Sequence, residues 1–600
     1  MDEERKVMVC AGTGCLSSGA EEIEKEFRRV LKKKGLTQEY PVSKIVKKTG
    51  CMGPCSLGPV VVIMPEETFY GNLEPEDVPK IVDQHIEDGE IVEELLLEDD
   101  EGHKIEEYSE IDYIKNQKRV VMQNMGKIDP HNIQDYVEED GYRSLEEVVK
   151  EFSSEEVIEE IKESGLRGRG GAGFPTGKKW EFTAAADGDQ KYVVCNADEG
   201  DPGAFMDRSI LEGDPHRVIE AMAITGYAIG ADQGYVYVRA EYPLAVKTLR
   251  KAISDAEKHN YLGENLFGTD FDFNLDIRVG AGAFVCGEET ALLASIEGKR
   301  GQPSPKPPYP ANKGLWNKPT VINNVETLAN IPTIIRKGAD WFDQIGTEKS
   351  SGTKVFAVAG DVNNTGLVEV PMGTTLEEII DIAGGVDGEK FKAAQIGGPS
   401  GGTLPQKFLD LNIDYESLEE AGAMVGSGGL VVMNQDNCMV DIARFFLDFV
   451  QEESCGKCPP CRDGTQKMLE ILERITQGEG EPEDLERLEN LAVNIKKAAL
   501  CGLGQTAPNP VTSTLEHFRD EYEAHVVDKE CPTGQCHEMV EAYVIDPDTC
   551  VGCTQCVPVC PVDAISGETG EPHKIDADKC IACGECADIC PVNAISQGGN

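Results

Sequence analysis

Short apolar runs alternate with amphipathic segments along the chain, a pattern typical of multidomain α/β and α+β proteins. Residues 7–10 and 59–64 predict two strands. Between them, apolar residues recur at i, i+4, i+7 and i+8 and end before Gly35, which predicts a helix with one buried face. We therefore expect a small α/β unit at the start of the chain. The helical positions are Ile23, Phe27, Val30 and Leu31.

A strongly acidic stretch follows, from Asp77 to Asp112. We interpret it as a solvated helix and a linker, and we place the first domain boundary there. Between residues 140 and 340, glycine-rich turns alternate with helical segments and with strand-like runs at 192–194 and 235–238. This pattern predicts an α/β sheet domain with ligand-binding loops at one edge.

In the second half of the chain, the predicted secondary structure changes first to mainly strands and then to mainly helices. Strand-like runs within residues 353–433 predict a small β-rich insert. Apolar residues at i, i+3, i+4, i+7 and i+8 then predict a buried helix that opens a helical region reaching residue 525. Those positions are Ile442, Phe445, Phe446, Phe449 and Val450. The predicted domains are residues 1–100, an acidic linker at 101–140, then 141–345, 346–435, 436–540 and 541–600.

The amino-acid composition excludes several classes of function. The chain has 600 residues, and 57 Lys and Arg against 108 Asp and Glu give a net charge of −51, which excludes binding to nucleic-acid phosphates or to anionic membrane surfaces. Its apolar runs are far shorter than the ~20 residues that cross a bilayer. The first residues contain no apolar secretion signal, so we expect a cytoplasmic protein whose 21 Cys stay reduced and act as metal or redox ligands.

Two cysteine runs near the end of the chain form a repeat. Each has the pattern C-x2-C-x2-C-x3-C-P of bacterial ferredoxins with two [4Fe-4S] clusters, in which the fourth cysteine of one run binds the other cluster. A pair of zinc ribbons is the alternative, but zinc has no need of the repeated Cys-Pro ending. The predicted ligands are Cys550, Cys553, Cys556 and Cys590 for one cluster, and Cys580, Cys583, Cys586 and Cys560 for the other.

Two further cysteine groups predict one cluster each. A C-x2-C-x2-C run follows the apolar helix and a fourth cysteine returns after another amphipathic segment, which favours a third [4Fe-4S] over zinc. At the start of the chain, two cysteine pairs lie on glycine-rich loops and lack the C-x-x-C spacing of a thioredoxin dithiol, which favours a [2Fe-2S]. The ligands are Cys455, Cys458, Cys461 and Cys501 for the first, and Cys10, Cys15, Cys51 and Cys55 for the second.

The remaining cysteines have a less specific pattern. Three of them and an adjacent histidine could form a tetrahedral zinc site, with His525 as a rival ligand. Ordinary buried thiols are an equally weighted alternative. Cys195 and Cys286 lie in apolar runs, and we interpret them as packing residues. The zinc candidates are Cys438, Cys531, Cys536 and His537.

The glycine-rich loop at residues 168–173 matches G-x-G-x-x-G literally. A dinucleotide fingerprint needs a strand before the loop and a helix directly after it, whereas an acidic helical run precedes this loop and Phe174-Pro175 follows. The context therefore argues against a Rossmann site. Its bare amides can still hold a phosphate, with Lys179 as the countercharge. A second glycine-rich loop at 280–290 precedes a proline-rich stretch at 306–310.

Five separated motifs, in order, closely resemble the NADH-binding flavoprotein subunit of respiratory complex I. With the cluster unit before them and the ferredoxin arm after them, the chain most resembles the beta subunit of NAD-dependent, electron-bifurcating [FeFe] hydrogenases. A diaphorase subunit of a formate dehydrogenase would look similar. The motifs are GRGGAGFPTGKKW at 168–180, NADEGDPG at 196–203, CGEETAL at 286–292, NNVET at 323–327 and ESCGKCPPCR at 453–462.

The resemblance implies a domain order and a cofactor site. The domains would be thioredoxin-like with a [2Fe-2S], FMN- and NAD(H)-binding, a β-grasp-like insert, a helical bundle with a [4Fe-4S], and a bacterial-type 2[4Fe-4S] ferredoxin. Asp201 stands where complex I has a longer Glu, and Tyr309 is often Phe there. The implied FMN ligands are Gly168, Gly170, Gly171, Lys179, Asn196, Asp198, Glu199, Asn323 and Asn324. The implied NAD(H) contacts are Phe174, Phe182, Asp201, Glu289, Lys306 and Tyr309.

The implied activity is hydride exchange between NAD(H) and FMN, with single electrons passed through the clusters to or from ferredoxin and a hydrogen-activating partner subunit. A small [2Fe-2S] subunit would complete a heterotrimer or higher oligomer. Two alternatives are a NADH dehydrogenase module that feeds quinone or serves a formate dehydrogenase, and a passive electron-wire subunit with a degenerate flavin site. The chain contains no Ser-His-Asp arrangement, so hydrolysis has no candidate residues.

Overall fold

A computed structural model of the chain describes residues 5–36, 41–98, 102–388, 390–539, 542–577 and 579–597, and so leaves 99–101 of the acidic stretch outside the described residues. The chain divides into two compact units. The larger contains Met1–Asn434, Glu453–Lys457 and Leu500–Thr506, and the smaller contains Gln435–Glu452, Cys458–Ala499 and Ala507–Asn600. Within the described ranges, none of the helices has both the length and the apolar character needed to cross a membrane.

The predicted α/β unit at the start of the chain is confirmed. A four-stranded sheet has the order β2-β1-β3-β4, with β1 parallel to β2 and antiparallel to β3. Helix α2 buries Ile23, Phe27 and Leu31 completely, as its spacing predicts. The elements are β1 (Lys6–Cys10), α1 (Thr13–Ser17), α2 (Ala20–Lys33), α3 (Val42–Ile45), β2 (Val46–Thr49), β3 (Val61–Met64), β4 (Thr68–Tyr70) and α4 (Val78–Lys80), which a π-helical segment (Ile81–Asp88) continues.

The segment predicted as an acidic linker is more ordered than its charge suggests. Tyr113 and the run from Val120 to Met122 are buried in the larger unit, where the carboxylate of Glu369 accepts three backbone N–H groups of that run at 2.9 Å. The run follows Lys118 and Arg119, so the acidic character of the wider segment did not indicate its burial. Its elements are β5 (Leu97–Glu98), β6 (Lys104–Ile105), α5 (Asp112–Lys115) and α6 (Ile133–Glu138).

The central domain is built on a parallel sheet of order β10-β7-β8-β9. Because the strands are parallel, their carboxyl ends meet at one edge, where ligands of open α/β sheets bind. The strands are β7 (Tyr192–Ala197), β8 (Gln233–Arg239), β9 (Asn274–Gly280) and β10 (Thr320–Asn324). The helices are α7 (Arg143–Glu151), α8 (Ser154–Glu163), α9 (Thr176–Ala185), α10 (Met206–Gly213), α11 (Pro215–Ile229), α12 (Pro243–Lys258), α13 (Glu289–Ile296), α14 (Pro310–Lys313), α15 (Val325–Lys337) and α16 (Ala339–Asp343).

The β-rich insert is a five-stranded sheet of order β14-β13-β17-β15-β16, which leaves β14 at one edge. Its longer helix begins with a capping box between Thr375 and Glu378. The elements are β11 (Gly346–Thr347), β12 (Ser350–Ser351), β13 (Thr353–Gly360), β14 (Gly366–Pro371), α17 (Leu376–Ile382), β15 (Phe391–Ile396), β16 (Gly402–Pro405), α18 (Tyr415–Glu420) and β17 (Gly429–Asn434).

The smaller unit combines a helical region with the cysteine repeat, whose first strand pairs with its last. In its opening helix, Phe445 is 51% exposed, although its spacing predicted burial. The buried face is instead formed by Ala443, Phe446, Leu447 and Val450. The elements are α19 (Met439–Glu452), α20 (Pro459–Thr476), α21 (Pro482–Ala498), α22 (Gly502–Thr506, in the larger unit), α23 (Asn509–His517), α24 (Arg519–Glu523), β18 (Tyr543–Ile545), β19 (Ile565–Ser566), β20 (Lys574–Ile575), α25 (Glu585–Asp588) and β21 (Ile595–Gln597).

Candidate flavin and iron-sulfur sites

The glycine-rich loop connects helix α8 to helix α9. No strand lies directly before it in this described part of the chain, so the argument against a Rossmann site is confirmed. A Cβ added at Gly171 would meet no atom within 4 Å, whereas one at Gly170 would lie 2.7 Å from the Cβ of Asn324. The loop therefore presents bare backbone to open space on one side and contacts a predicted FMN ligand on the other.

Three predicted asparagines lie at the carboxyl ends of β7 and β10. The two strands pair in register, with Asn323 beside Cys195 and Asn324 beside Asn196. Asn196 donates to the carbonyl of Gly287 at 3.0 Å, which joins this edge to the second glycine-rich loop. Asn323 accepts from the indole of the buried Trp180 at 3.0 Å. The parallel pairing therefore brings motifs together that are far apart in sequence.

Of the acidic residues that follow β7, Asp198 and Glu199 are buried and Asp201 is partly buried. Burial raises the pKa of Asp198 to about 7, that of Glu199 to about 7 and that of Asp201 to about 6. Both carboxylate oxygens of Asp198 are buried without a hydrogen-bond partner among the described residues. Unpaired buried acceptors of this kind fit the hydroxyl groups of a ribityl chain.

The other two acidic residues already have partners in the chain. Glu199 accepts the backbone N–H groups of Asp207 and Arg208, both at 3.1 Å, at the start of helix α10. Asp201 accepts a hydrogen bond from the hydroxyl of Ser427, on the loop before β17. Their carboxylates thus fix local structure around the predicted site.

Two lysines pair with Glu289, and one of them, Lys179, also contacts the carbonyl of Ile322 in strand β10. Lys179 Nζ lies 3.0 Å from one oxygen of Glu289, and Lys306 Nζ lies 2.9 Å from the other. Burial alone would raise the pKa of Glu289, but the two ammonium groups outweigh it and lower the pKa to about 2. The group is therefore an anion between two cations at neutral pH.

The predicted aromatic contacts are unusually exposed. Phe174, Phe182 and Tyr309 are 46%, 51% and 56% accessible. Large exposed rings near a polar site offer stacking faces to a planar ligand. The phosphate of FMN fits the bare loop amides and the ammonium of Lys179, and its hydroxyls fit the unpaired acceptors of Asp198. The exposed rings fit a nicotinamide nucleotide.

The structure brings the four predicted [2Fe-2S] ligands around one small cavity. A Cβ added at Gly12 would lie 2.9 Å from the Cβ of Cys51, and one at Gly58 would lie 3.0 Å from the Sγ of Cys15. The glycines therefore let the two cysteine loops approach closely enough for a two-iron cluster. The lining includes Cys10, Cys15, Cys51 and Cys55 together with Gly12, Gly14 and Gly53.

In the ferredoxin-like region, the structure pairs the cysteines across the repeat. One cavity is lined by Cys560 of the first run together with three cysteines of the second. Burial raises the pKa of Cys556, and the nearby thiols Cys550, Cys553 and Cys590 add to that effect. Both predicted ligand sets are thus brought together with the fourth cysteine exchanged between runs. The cavity lining contains Cys560, Cys580, Cys583 and Cys586.

The four cysteines predicted to hold the third [4Fe-4S] belong to both compact units. Cys455 and Cys501 lie in the larger unit, and Cys458 and Cys461 lie in the smaller one. Cys458 immediately precedes helix α20, and Cys461 is buried in its first turn. Their joint ligation of one cluster stays a prediction.

Within the smaller unit, three cysteines and a histidine form a buried group. The ligand atoms of the four residues lie within 4.8 Å of one another. Nε2 of His525 lies 3.5 Å from the Sγ of Cys438 and 3.3 Å from that of Cys536. Three thiolates and one imidazole are a common structural zinc set. The group consists of Cys438, His525, Cys531 and Cys536.

The histidine of this group differs from the one favoured by sequence. His537 is exposed, whereas His525 is buried with its Nδ1 bonded to the carbonyl of Glu521 at 2.7 Å. That bond directs Nε2 towards the cysteines, as is usual for metal-bound histidines. Adjacency to Cys536 suggested His537, but the histidine that lies with the three cysteines is His525, on a helical turn.

We expect purified chain to contain one equivalent of zinc that depends on His525. Replacing one of four ligands should lower zinc affinity by about 10-fold or more, so His525→Ala should lose the metal during dialysis against a mild chelator. Elemental analysis of the full chain gives the measurement. His537→Ala is the matched control and should keep its zinc. Equal retention by both variants would contradict the site.

Sequence reasoning missed the residues that attach the insert to the glycine-rich loop. The side chain of Arg169 is 1% exposed and donates to the carbonyls of Ser351 and Thr353 at 2.7 and 2.9 Å. The hydroxyl of Tyr415 donates to the carbonyl of Gly168 at 2.8 Å. Arg169 occupies a variable position of the G-x-G-x-x-G pattern, so nothing in the local sequence indicated this role.

Family models match the chain in five places. The Nuo51 FMN-binding domain matches residues 161–333, and the NADH-ubiquinone oxidoreductase-F iron-sulfur binding region matches 441–525. A thioredoxin-like [2Fe-2S] ferredoxin matches 2–85, an SLBB domain 355–403 and a 4Fe-4S dicluster domain 543–597. These matches confirm the predicted fold class. Fold and sites together define an iron-sulfur flavoprotein with an FMN-binding domain.

Two curated relatives cover most of the chain. It is 59% identical over 461 residues to the NADP-reducing hydrogenase subunit HndC of Solidesulfovibrio fructosivorans, covering 76% of this chain and 94% of that protein. It is 47% identical over 415 residues to the F 2 chain of the NADH-quinone oxidoreductase of Rhizobium meliloti (strain 1021), covering 69% and 99%. The chain therefore belongs to the family of complex I 51 kDa-like FMN and iron-sulfur flavoproteins.

A solved structure shows the same architecture over a longer span. A chain of the NAD+-reducing [NiFe]-hydrogenase in the H2-reduced state is similar with a TM-score of 0.61 and 29% identity, covering 87% of this chain and 84% of that chain. The likeness thus extends beyond the central flavin domain.

Proposed function

We propose that this chain is the diaphorase subunit of a hydrogenase complex, exchanging hydride between NAD(H) and FMN and passing single electrons through its iron-sulfur clusters. The observation that carries the proposal lies at the carboxyl ends of β7 and β10. There the glycine-rich loop approaches Asn324, both carboxylate oxygens of Asp198 are buried without a partner among the described residues, and Lys179 contacts Glu289 and the carbonyl of Ile322. FMN, when bound, supplies the conversion between two-electron and one-electron transfer.

The chain's own residues have distinct tasks in this proposal. Lys179 and the loop amides bind the FMN phosphate, and Asp198 accepts from the ribityl hydroxyls. The rings of Phe174, Phe182 and Tyr309 orient the nicotinamide nucleotide by stacking, and Lys306 and Glu289 contact its polar groups. Holding both molecules in one geometry lowers the entropic cost of hydride transfer.

We further propose an electron-bifurcating role with ferredoxin as one partner. The ferredoxin-like arm supports it, since a module that only feeds quinone has no evident need of two further clusters. A hydrogen-activating subunit and a small [2Fe-2S] subunit would complete the assembly, and the HndC similarity supports the hydrogenase partner. The second candidate is a NADH dehydrogenase module without bifurcation, which the similarity to the Rhizobium meliloti oxidoreductase favours.

The proposed inventory is one FMN, one [2Fe-2S], three [4Fe-4S] and one zinc. Anaerobically purified chain should therefore contain about fourteen iron atoms and release one flavin on denaturation. NADH added to the chain should bleach the flavin and cluster absorbance within one mixing time. A colourless supernatant after denaturation, or no bleaching, would favour the passive electron-wire alternative and contradict the proposal.

The same preparation, assembled with its partner subunits, separates the two candidate functions. With H2 as the electron donor, bifurcation predicts that ferredoxin becomes reduced only when NAD+ is present as the second acceptor. Reduction of ferredoxin without NAD+, or no reduction of ferredoxin at all, would leave the simple dehydrogenase. Parallel assays with NADPH establish which nucleotide the site prefers.

A further inference from the structure

The loop that carries two of the predicted [2Fe-2S] ligands is attached to the edge strand of the insert. The N–H of Cys55 donates to the carbonyl of Thr365 at 3.1 Å, and the N–H of Leu367 donates to that of Gly53 at 3.3 Å. Pro54 and Gly366 form an antiparallel bridge between these bonds. The insert thus extends its sheet, through β14, to the cluster loop.

Arg119 lies against this loop. Its Nη2 donates to the carbonyl of Met52 at 3.0 Å, and a Cβ added at Gly53 would lie 3.0 Å from the same nitrogen. Its Nη1 donates to the hydroxyl of Tyr108 at 2.9 Å, and that hydroxyl donates to the Met52 carbonyl at 2.8 Å. The guanidinium is therefore held beside the residues between Cys51 and Cys55.

The charge of this guanidinium is not neutralised by its hydrogen-bond partners. Its acceptors are the Met52 carbonyl, the Tyr108 hydroxyl and, at 3.3 Å, the side-chain oxygen of Gln117, all uncharged. Glu369 interacts with Arg119 electrostatically and offsets part of its charge, although the Glu369 oxygens accept backbone N–H groups and no hydrogen bond from Arg119.

A second cation near the loop has a different environment. Arg208 interacts electrostatically with Cys55. It is paired with the carboxylate of Glu212 at 3.1 Å, so much of its field is cancelled. Arg119, in contrast, hydrogen-bonds only to uncharged acceptors, so less of its field is cancelled at short range.

We propose that Arg119 raises the reduction potential of the [2Fe-2S] cluster at the start of the chain. This rests on the cofactor inventory of the proposed function. In the redox step, one electron derived from NADH converts one ferric iron to ferrous, and no bond forms or breaks. The cluster is an anion that gains one negative charge, so a fixed cation stabilises its reduced form more than its oxidised form. Arginine stays protonated throughout.

The consequence would be a cluster that holds its electron while NADH is present. Tyr113, which is 4% exposed and donates to the carbonyl of Leu367 at 2.9 Å, lies on the same side of the loop. Limited solvent access weakens screening of the arginine charge. The segment that sequence analysis assigned to a linker would then set the potential of the cluster next to it.

The test is a potentiometric titration of the full chain followed by EPR, at a temperature where the [4Fe-4S] signals are broadened beyond detection. Arg119→Gln should lower the midpoint potential, changing the ratio of reduced to oxidised cluster at fixed potential by about tenfold, or about 59 mV for one electron. Arg119→Lys keeps the charge and should recover at least half of the shift.

Arg5→Gln is the matched control. Arg5 belongs to the same domain but is paired with Glu66 at 2.8 Å. Its loss should leave the midpoint unchanged. A similar shift in this variant would overturn the specific role of Arg119.

Other results would also overturn the inference. One is a midpoint potential in Arg119→Gln that equals that of the wild type. Another is a shift in Arg119→Lys as large as that in Arg119→Gln. The third is loss of the cluster from both Arg119→Gln and Arg119→Met, which would make the role of Arg119 purely structural. Wild-type chain without any [2Fe-2S] signal would overturn the proposed inventory together with this inference. If the wild type shows a normal [2Fe-2S] signal and the midpoint potential of Arg119→Gln is unshifted, this inference is overturned but the proposed inventory is not.

Discussion

Lys179→Met should weaken FMN binding by about 10- to 100-fold, because a hydrogen bond from a charged donor contributes roughly 1.5–3 kcal/mol. In the structure Lys179 Nζ lies 3.0 Å from Glu289 and 3.0 Å from the carbonyl of Ile322, so its ammonium is positioned at the flavin site by the chain itself. Methionine keeps most of the side-chain volume and removes the charge and its N–H donors. Flavin content after gel filtration and fluorescence titration of the apoprotein with FMN measure the effect.

The neighbouring Lys178 gives a matched control. Its side chain is 52% exposed and its ammonium lies 3.4 Å from Glu181, on the outer face of helix α9. Lys178→Met should bind FMN as the wild type does. Dye-linked NADH oxidation by Lys179→Met should recover when excess FMN is added, since the defect is in affinity. Normal flavin retention in this variant would show that Lys179 does not bind the phosphate.

The sequence could predict those parts of the candidate sites whose ligands follow a local pattern of fixed spacing. The repeated cysteine runs specify ligand spacing directly, and the structure brings Cys560 to the second run as the pattern requires. The same holds at the start of the chain, where glycines next to each cysteine pair allow the loops to close. In both places the ligands belong to short runs or pairs whose spacing is visible in the sequence.

Contacts between distant segments could not be predicted in this way. His525 reaches the cysteine group because the carbonyl of Glu521 orients its ring, whereas the spacing favoured His537. Arg119 contacts the cluster loop only because the apolar run that follows it is buried. The charge of the segment suggested a linker, and neither its period nor its composition indicated a partner.

Lys354→Met should destabilise the larger unit by about 3–5 kcal/mol, the cost of leaving one member of a buried ion pair without its partner. The side chains of Lys354 and Glu326 are 0% and 1% exposed, and Glu326 also accepts the N–H of Val355 at 2.8 Å. The pair joins strand β13 of the insert to helix α15, which begins next to the predicted FMN ligand Asn324.

Burial raises the pKa of Glu326 while Lys354 lowers it, so removing the lysine should raise that pKa further and favour the neutral acid. In the single variant, stability should therefore fall as pH rises above about 4.3, because Glu326 then ionises in the unfolded chain while burial keeps it protonated in the folded one. The fall should stop once the folded carboxyl group also ionises. Adding Glu326→Gln to Lys354→Met removes the uncompensated charge and should restore most of the loss. The exposed Lys349 provides a control, and Lys349→Met should change stability by less than about 0.5 kcal/mol.

The temperature at which bound flavin is released is the appropriate measurement, because several domains unfold separately in a chain of this size. A loss of about 3–5 kcal/mol corresponds to a release temperature lower by roughly 10 °C. The double variant should lie close to the wild type. If the single and double variants release flavin at the same lowered temperature, the loss comes from altered packing, and the ion pair does not hold the insert against the flavin domain.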